Sequence, residues 1–526
     1  MDTTGPVERR SARLAVPALA VASAVAVLIS NVNGIAVGDD GVGYTAIADS
    51  LLAGNGLGYF LERPLTVWPP LWPALMAAIS WLTPLSPSGA AVVLNIGVSV
   101  AAVFVANRLL RRIVADDRLV LLGTAVVALG SSTIGFGHLL MTDLAFAVVA
   151  LLWMLALINH WESRRPAWLA GAAALVWCAF GLRYVAVVLI PTAALWLLLD
   201  GTRSFAKRFR DAALYCIGAA LVPVAWMLRN RAADGTILGP RYPSARGVVD
   251  NGFDILATMG RFLLPGVANG LTRIWAAIGA IALVAAVTVL VRLLREVRAD
   301  GERSVWSAAT GWLGRPTGLV ALQPVLYLVY ILYIRSTTAL NQLDLRLLEP
   351  AYLPFMVLAL AVIARLRALP PLGESAWWRV GYATAHVWAA ANVIAGLAAV
   401  VLFATGNPYF EGNYNADRFD RVRQNAALDE LPADCATVSN LPNALYPEVE
   451  SVWSPRRTGA ESNEPTDDLD RLVAELADRP TCLVWVDAAP RYGNLWTREQ
   501  LQERVQLEPI ATDGIVSVYE FTPKRG

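Results

Sequence analysis

Asp39-Asp40-Gly41-Val42-Gly43-Tyr44 follows the first long apolar run, residues 14–30, and opens a polar segment that reaches to about Leu65. Two adjacent carboxylates beside a stretch long enough to enter a bilayer are costly to keep near lipid, so they need a reason. Taking the proton from an acceptor hydroxyl at the membrane surface supplies one, because a carboxylate held close to a hydroxyl is a suitable general base. Asp40 is the first candidate for that base, and Asp39 the reserve, either as the base itself or by raising the pKa of its neighbour. The competing structural role for Asp40 is a solvated N-cap ahead of a helix over 43–53.

The rest of the chain sets the class. Of 526 residues, 56% are hydrophobic and 16% charged, and the mean hydropathy is +0.49. Soluble chains of this size carry about 25% charged residues. A net charge of +1 gives no basis for nucleic-acid binding, and 18 tryptophans suit interfacial anchoring. A span takes roughly 20 apolar residues. The runs at 14–30, 88–107, 118–136, 140–158, 167–182, 185–199, 211–228, 271–291, 317–334, 350–365 and 380–404 predict about eleven transmembrane helices. No small-x-small cleavage site follows the first run, which reads as a retained span.

Arginine clusters set the orientation. Arg9, Arg10 and Arg13 precede the first span; Arg108, Arg111, Arg112 and Arg118 follow the second; Arg164 and Arg165 follow the fourth. Arg203, Lys207, Arg208 and Arg210, then Arg292, Arg295, Arg298, Arg303 and Arg315, then Arg365, Arg367 and Arg379 mark the later loops. They fall on alternate loops, as a cytoplasmic N-terminus requires, and an odd number of spans places the C-terminus outside a plasma membrane. The segment 68–83, with Pro69, Pro70 and Pro73 at its start, cannot cross without inverting that pattern. It reads as a helix in the outer interface, as does 253–264.

Composition changes after about Gly406. Residues 1–405 form the expected membrane domain and 406–526 an extracytoplasmic α/β domain. In the second, strands are expected at 435–439, 482–486 and 515–519 and a helix at 467–478; strand, helix, strand implies parallel pairing. Cys435 and Cys482 each open a strand, and an oxidising exterior permits a disulfide between them; two buried thiols are the alternative. Cys178 and Cys216 fall in spans, as packing residues. His138, His160 and His386 are scattered, without zinc spacing.

At this point a resemblance enters. Asp40 and Tyr44, then Ala48 to Leu52, Gly54, Gly56 and Leu57, resemble the first external loop of polytopic glycosyltransferases of the C superfamily, the group of the protein mannosyltransferases and the lipid A aminoarabinose transferase. Pro69-Pro70-Leu71-Trp72-Pro73 is similar to the "PPLYP" element that follows in that group. Leu140-Met141-Thr142-Asp143-Leu144-Ala145-Phe146 is similar to its next acidic element, with Asp in place of Glu. Arg183-Tyr184, Arg229-Asn230 and Arg346-Leu347-Leu348-Glu349-Pro350 resemble three later ones, in the same order. The resemblance implies a polyprenyl-phosphate-linked sugar donor, an inverting transfer outside the cytoplasm and a catalytic carboxylate in the first loop. The acceptor, whether glycan, lipid or protein, stays open, and so does a divalent metal; no organic cofactor is implied.

The departing lipid phosphate also needs positive charge, and arginine offers a planar, permanently charged fork. Arg183 and Arg346, at the outer ends of spans, are the leading phosphate ligands, with Arg241 third and Tyr184 beside them; snorkelling to lipid headgroups is the structural alternative. Asp143 is the next carboxylate after the first loop, either catalytic or capping the fourth span. A lipid-linked sugar flippase would line its path with charges in mid-span, and the span centres here are nearly free of them. An oligosaccharide ligase or polymerase would share the external site.

Overall fold

The computed structural model describes residues 6–264, 271–299, 305–368, 376–406, 413–459, 464–476, 479–487 and 493–524. The basic side chains at Arg9, Arg10, Arg13, Arg292, Arg295, Arg298 and Arg303 lie outside the described residues, as does the stretch just after Gly406. In chain order the helical part runs α1 (Pro6–Ser30), α2 (Asp39–Leu52), a short hairpin of β1 (Gly58–Tyr59) and β2 (Arg63–Pro64), α3 (Leu71–Leu82), α4 (Pro87–Ile113), α5 (Asp117–Leu129), α6 (Ser131–His138), α7 (Asp143–Ser163) and α8 (Pro166–Leu182). It continues through α9 (Leu189–Leu199), α10 (Phe205–Asp234), α11 (Val248–Leu263), α12 (Thr272–Ala299), α13 (Val305–Leu313), α14 (Pro316–Thr337), α15 (Leu345–Ala368) and α16 (Ala376–Ala404).

Among the described residues seven helices are long and apolar enough to cross a membrane: Pro87–Ile113, Asp117–His138, Asp143–Ser163, Phe205–Asp234, Pro316–Thr337, Leu345–Arg367 and Trp378–Ala404. The expected count of eleven is therefore not reached on length alone. The other four expected spans coincide with shorter apolar helices at Leu14–Ser30, Pro166–Leu182, Tyr184–Leu199 and Thr272–Thr288. Helix α3, expected in the interface, has 12 residues. At 1.5 Å per residue it is ~18 Å long, against a hydrocarbon core of ~30 Å.

Local chemistry sets the helix ends. Ser86 caps α4 by accepting from the Gly89 amide at 3.2 Å, with Pro87 at the first helical position, and Arg111 and Arg112 meet the negative end of its dipole. Asp116 caps α5 through the amides of Arg118 and Leu119. The run 117–138 breaks at Gly130, where a Cβ would stand 2.3 Å from the Val126 carbonyl oxygen. Helix α7 is buried nearly all round and packs against α4, α8 and α15, as an all-round apolar helix must.

The C-terminal part carries a five-stranded sheet: β3 (Ala436–Ser439), β4 (Ser451–Trp453), β5 (Thr481–Val486), β6 (Val505–Asp513) and β7 (Val516–Pro523), in the order β4-β3-β5-β7-β6. The pairs β3–β4 and β3–β5 are parallel, the latter spanning the helix Asp468–Glu475. The strand–helix–strand unit is parallel, as its order implies, while strand β7 runs antiparallel to β5 and returns through a hairpin with β6. A disulfide joins Cys435 and Cys482, with Cα atoms 5.7 Å apart.

Candidate functional site

Two distant segments are first tied together as backbone. Ala36 and Leu139 form a parallel bridge, the Ala36 amide donating to the His138 carbonyl and the Leu140 amide to the Ala36 carbonyl, each at 2.9 Å. The non-helical turn between α6 and α7 leaves buried carbonyls to satisfy. Asn95 of α4 donates to the carbonyls of Gly137 and Leu139 at 3.1 and 2.9 Å, and Asn31 donates to that of Gly137 at 3.0 Å. Gly41 permits the approach, since a Cβ there would lie 3.1 Å from the Leu140 oxygen. The starts of α2 and α7 thus lie side by side. Asp39 and Asp40 occupy the first turn of α2 and Asp143 is the first residue of α7, positions a helix dipole favours for carboxylates. Gly38, not Asp40, is the N-cap of α2.

Four charged side chains then alternate in a row. Asp40 Oδ2 pairs with Arg346 Nη2, Arg346 Nε lies 3.3 Å from Asp143 Oδ2, and Asp143 Oδ1 pairs with Arg183 Nη1. Side-chain exposure along the row is 28% for Asp40, 21% for Arg346, 0% for Asp143 and 16% for Arg183. Asp143 is sealed, and Asp40 is the carboxylate that an incoming group can touch. Both arginines point inward onto carboxylates rather than outward to headgroups.

Asp40 is further fixed by Trp68, whose indole Nε1 donates to Oδ1 at 3.0 Å. Burial pushes the Asp40 carboxyl up, but Arg346, the Trp68 hydrogen bond and Arg183 together outweigh it and hold it below the usual carboxylate value. Tyr44, one turn further along α2, has its hydroxyl pushed up by burial and by the Asp40 charge. Trp68 reaches Asp40 by lying across α2 at Gly43, where a Cβ would stand 2.6–2.9 Å from three ring atoms. Tyr44 and Tyr59 pack edge-on against the indole at centroid distances of 6.3 and 5.5 Å.

Arg183 and Tyr184 divide their duties. Arg183 leaves α8 in extended backbone and turns to Asp143. The Tyr184 hydroxyl lies 2.9 Å from the Thr66 carbonyl and 3.1 Å from that of Trp68, and accepts from Trp226 Nε1 at 2.9 Å, so it braces the strand of chain that carries Trp68. Arg346 is held at the start of α15 by Asp344, which accepts from the amides of Arg346 and Leu347 at 3.1 and 3.2 Å, and by the Tyr327 hydroxyl, which donates to the Leu347 carbonyl at 2.7 Å. One turn into α15, the fully buried Glu349 carboxyl meets the Ser132 hydroxyl at 2.6 Å.

Two expected residues stand apart from the row. Asp39 accepts from Asn443 Nδ2 of the C-terminal part at 2.6 Å. Arg241 donates to the Leu238 carbonyl at 2.8 Å and is exposed. Three further arginines are engaged elsewhere: Arg229 with the Leu65 carbonyl and the Trp226 ring, Arg63 with Glu475, and Arg246 with Asp254. Trp68, Asn31, Asn95 and Asp344 were not singled out as candidates. Trp68 lies beside the proline element at 69–73, and that adjacency was the one signal that could have raised it. Among the described residues no group of three or more His, Cys, Asp or Glu gathers in a metal-holding arrangement.

No family model matches the chain, and no curated protein does. Solved structures do. ArnT from Cupriavidus metallidurans bound to undecaprenyl phosphate aligns over 96% of this chain and 97% of its own, with a TM-score of 0.57 and 13% identity. The archaeal oligosaccharyltransferase AglB from Archaeoglobus fulgidus, in complex with an inhibitory peptide and a dolichol-phosphate, aligns over 99% of this chain and 75% of its own, with a TM-score of 0.54 and 12% identity. The chain has the fold of these polytopic glycosyltransferases of the C superfamily, the group its first-loop motif resembles.

Proposed function

We propose that the chain is a membrane glycosyltransferase that moves a sugar from a polyprenyl-phosphate donor to a hydroxyl of a glycan, lipid or protein outside the cytoplasm, with inversion at the anomeric carbon. The observation that carries this reading is the alternating row of charges, in which a half-buried carboxylate, Asp40, pairs with Arg346, and the sealed Asp143 links Arg346 to Arg183. In the transfer the acceptor oxygen forms a bond to C1 of the sugar, the C1–O bond to phosphate breaks, and the acceptor proton passes to Asp40. The released lipid phosphate carries the negative charge, and Arg346 and Arg183 lie where that charge develops. Both the ArnT structure with undecaprenyl phosphate and the AglB structure with dolichol-phosphate support a polyprenyl-phosphate ligand for this fold.

The helix ends at the site favour eleven crossings of a plasma membrane with the N-terminus inside. The start of α7, the end of α8 and the start of α15 meet at one end of the bundle. Strict alternation from α1, with α3 and α11 lying outside, places all three on the outer side together with the C-terminal sheet as an extracytoplasmic domain from about residue 406.

Incubation of the purified protein with a panel of polyprenyl-phosphate sugars, in the presence of candidate acceptors, tests the reading. Release of polyprenyl phosphate by the wild type and its loss in Asp40→Asn is the expected result. No release from any donor would sink it.

A further inference from the structure

Helix α2 is held at both ends by one small element of the C-terminal part. Asn443 Nδ2 donates to Asp39 in the first turn of α2, and the Tyr446 hydroxyl donates to Asp49 in its last. Asn443 and Tyr446 lie three residues apart, on and just after the buried helix Pro442–Leu445. Burial raises the Asp49 carboxyl, and the Tyr446 hydrogen bond works against that rise. The surrounding contacts are also mostly polar. Arg63 meets Glu475 with two nitrogens at 2.7 and 2.8 Å, Arg479 lies 3.3 Å from Glu62, and the Tyr242 hydroxyl donates to Asp468 at 3.1 Å. Phe60 packs edge-on against Tyr446 at 5.5 Å. The β1–β2 turn that carries these groups holds Leu61 and Glu62 in left-handed backbone, φ 58° and 62°. An interface of this kind within one chain is separable, unlike a large apolar one.

We propose that Asn443 and Tyr446 are positioning residues for the transfer: they fix α2, and with it Asp40, and they do so only while the C-terminal sheet is seated on the first loop. The proposal rests on Asp40 as the base. Asp40 follows Asp39 in the same helical turn, so a shift of Asp39 carries it along. Its two direct side-chain partners are Trp68 and Arg346. Once Arg346 is shared with a donor phosphate, the grip on α2 rests more heavily on Trp68, on this clamp and on Val37 just before the helix, whose amide donates to Asn413 Oδ1 at 2.9 Å and whose carbonyl accepts from the Tyr414 amide at 2.8 Å. A displacement of about 1 Å at a reacting group costs on the order of 100-fold in rate. A seated C-terminal sheet and a correctly aimed base are therefore one event.

The test uses the full-length protein in lipid nanodiscs, with Asn443→Ala, Tyr446→Phe and the double variant. Amide hydrogen exchange over residues 41–52 should rise by about tenfold in the double variant, with α7 unchanged. The kcat for transfer should fall by about tenfold or more while the donor KM stays within about twofold. Asn443→Asp places a second carboxylate against Asp39 and should slow turnover in the same way. Adding Asp39→Asn to it restores the amide–carboxylate bond with reversed polarity and should recover most of the loss, which damage to folding alone would not allow. Unchanged exchange in α2, an unchanged kcat or a failed rescue would each overturn the clamp. If the wild type transfers no sugar at all, the functional reading falls with it, and the exchange measurement still decides whether Asn443 and Tyr446 hold α2.

Discussion

Arg346 joins Asp40 to Asp143: Nη2 pairs with the first carboxylate while Nε lies 3.3 Å from the second. The proposed base is thereby partly neutralised by the group proposed to receive the donor phosphate. A phosphate that takes a share of this guanidinium leaves Asp40 with a less compensated charge and a higher proton affinity. In the proposed mechanism, donor binding then improves the base, which favours donor before acceptor.

Arg346→Ala should raise the donor Kd by the loss of a charge-assisted contact, about 1.5–3 kcal/mol. It should also destabilise the fold by about 3–5 kcal/mol, since Asp143 is sealed and would lose one of two cationic neighbours. Arg346→Lys restores charge but reaches one carboxylate at a time, so it should recover folding more fully than turnover. Donor titration and thermal unfolding of the two variants separate these effects; an Ala variant with wild-type donor affinity would remove Arg346 from the phosphate site.

The pH dependence follows from the sign of the shift. In the proposed mechanism Asp40 acts as a base when ionised, and its pKa is held below the usual carboxylate value. The acid limb of kcat/KM, which reports the free enzyme, should lie below about pH 4. The acid limb of kcat, which reports the donor complex, should lie at higher pH because Arg346 is then shared. Arg346→Ala should move the free-enzyme limb upward as well. For stability the same depressed group contributes above the unfolded pKa of ~4, and its contribution is lost as pH falls through the lower folded value. Coincident limbs for kcat and kcat/KM in the wild type would argue against sharing of Arg346.

The members of the charge row were legible because each sits in a local pattern: Asp40 before Gly-Val-Gly-Tyr, Asp143 at the head of an apolar run, Arg183 and Arg346 at run ends. Their pairing was not, because it depends on how four helix ends converge. Asn31, just past the first apolar run, and Asn95, within the second, carried no signal; only the folded turn at 137–139 shows which carbonyls they satisfy. The apolar runs at Cys482–Val486 and Ile515–Tyr519 announced the central strands β5 and β7. The edge strand β6 was missed: it is mostly exposed, carries Pro509 at its register shift and so lacks an apolar stripe. Direction is likewise absent from an apolar run, so the strand at 515–519 came without one.

Gly43 and Trp68 give a prediction independent of charge. Gly43→Ala puts a methyl group 2.6–2.9 Å from the indole ring, and the ring must move. The cost in stability should be about 1–3 kcal/mol. The shift also breaks the Trp68–Asp40 hydrogen bond, so turnover should fall with it. Trp68→Phe keeps most of the ring and removes only the N–H donor. It should lower turnover with a smaller loss of stability, and raise the Asp40 pKa, because one interaction that favours the charged form is gone. Tyr184→Phe, which loosens the carbonyls of Thr66 and Trp68, should act in the same direction and more weakly. A Trp68→Phe enzyme with an unchanged pH profile would show that the indole only packs.

The two carboxylates of the row should fail in different ways. Asp40→Asn keeps the shape, can still accept from Trp68 and retains Arg346 beside Asp143, so the fold and donor affinity should survive. What is lost is the proton acceptor, and general-base assistance accounts for about 10²–10⁴ in rate. Asp143→Asn removes the sealed anion that neutralises Arg183 and part of Arg346. Two partly buried cations then face each other with no carboxylate between them, Asp40 lying beyond Arg346, so unfolding should come at lower temperature and both guanidinium groups should lose their aim. The expected pattern is a kcat defect with a normal donor KM for Asp40→Asn, and a defect in stability and donor KM together for Asp143→Asn. The reverse pattern, an inactive but stable Asp143→Asn beside a near-normal Asp40→Asn, would move the base to Asp143 and require a path for the acceptor to a carboxylate with no exposed surface.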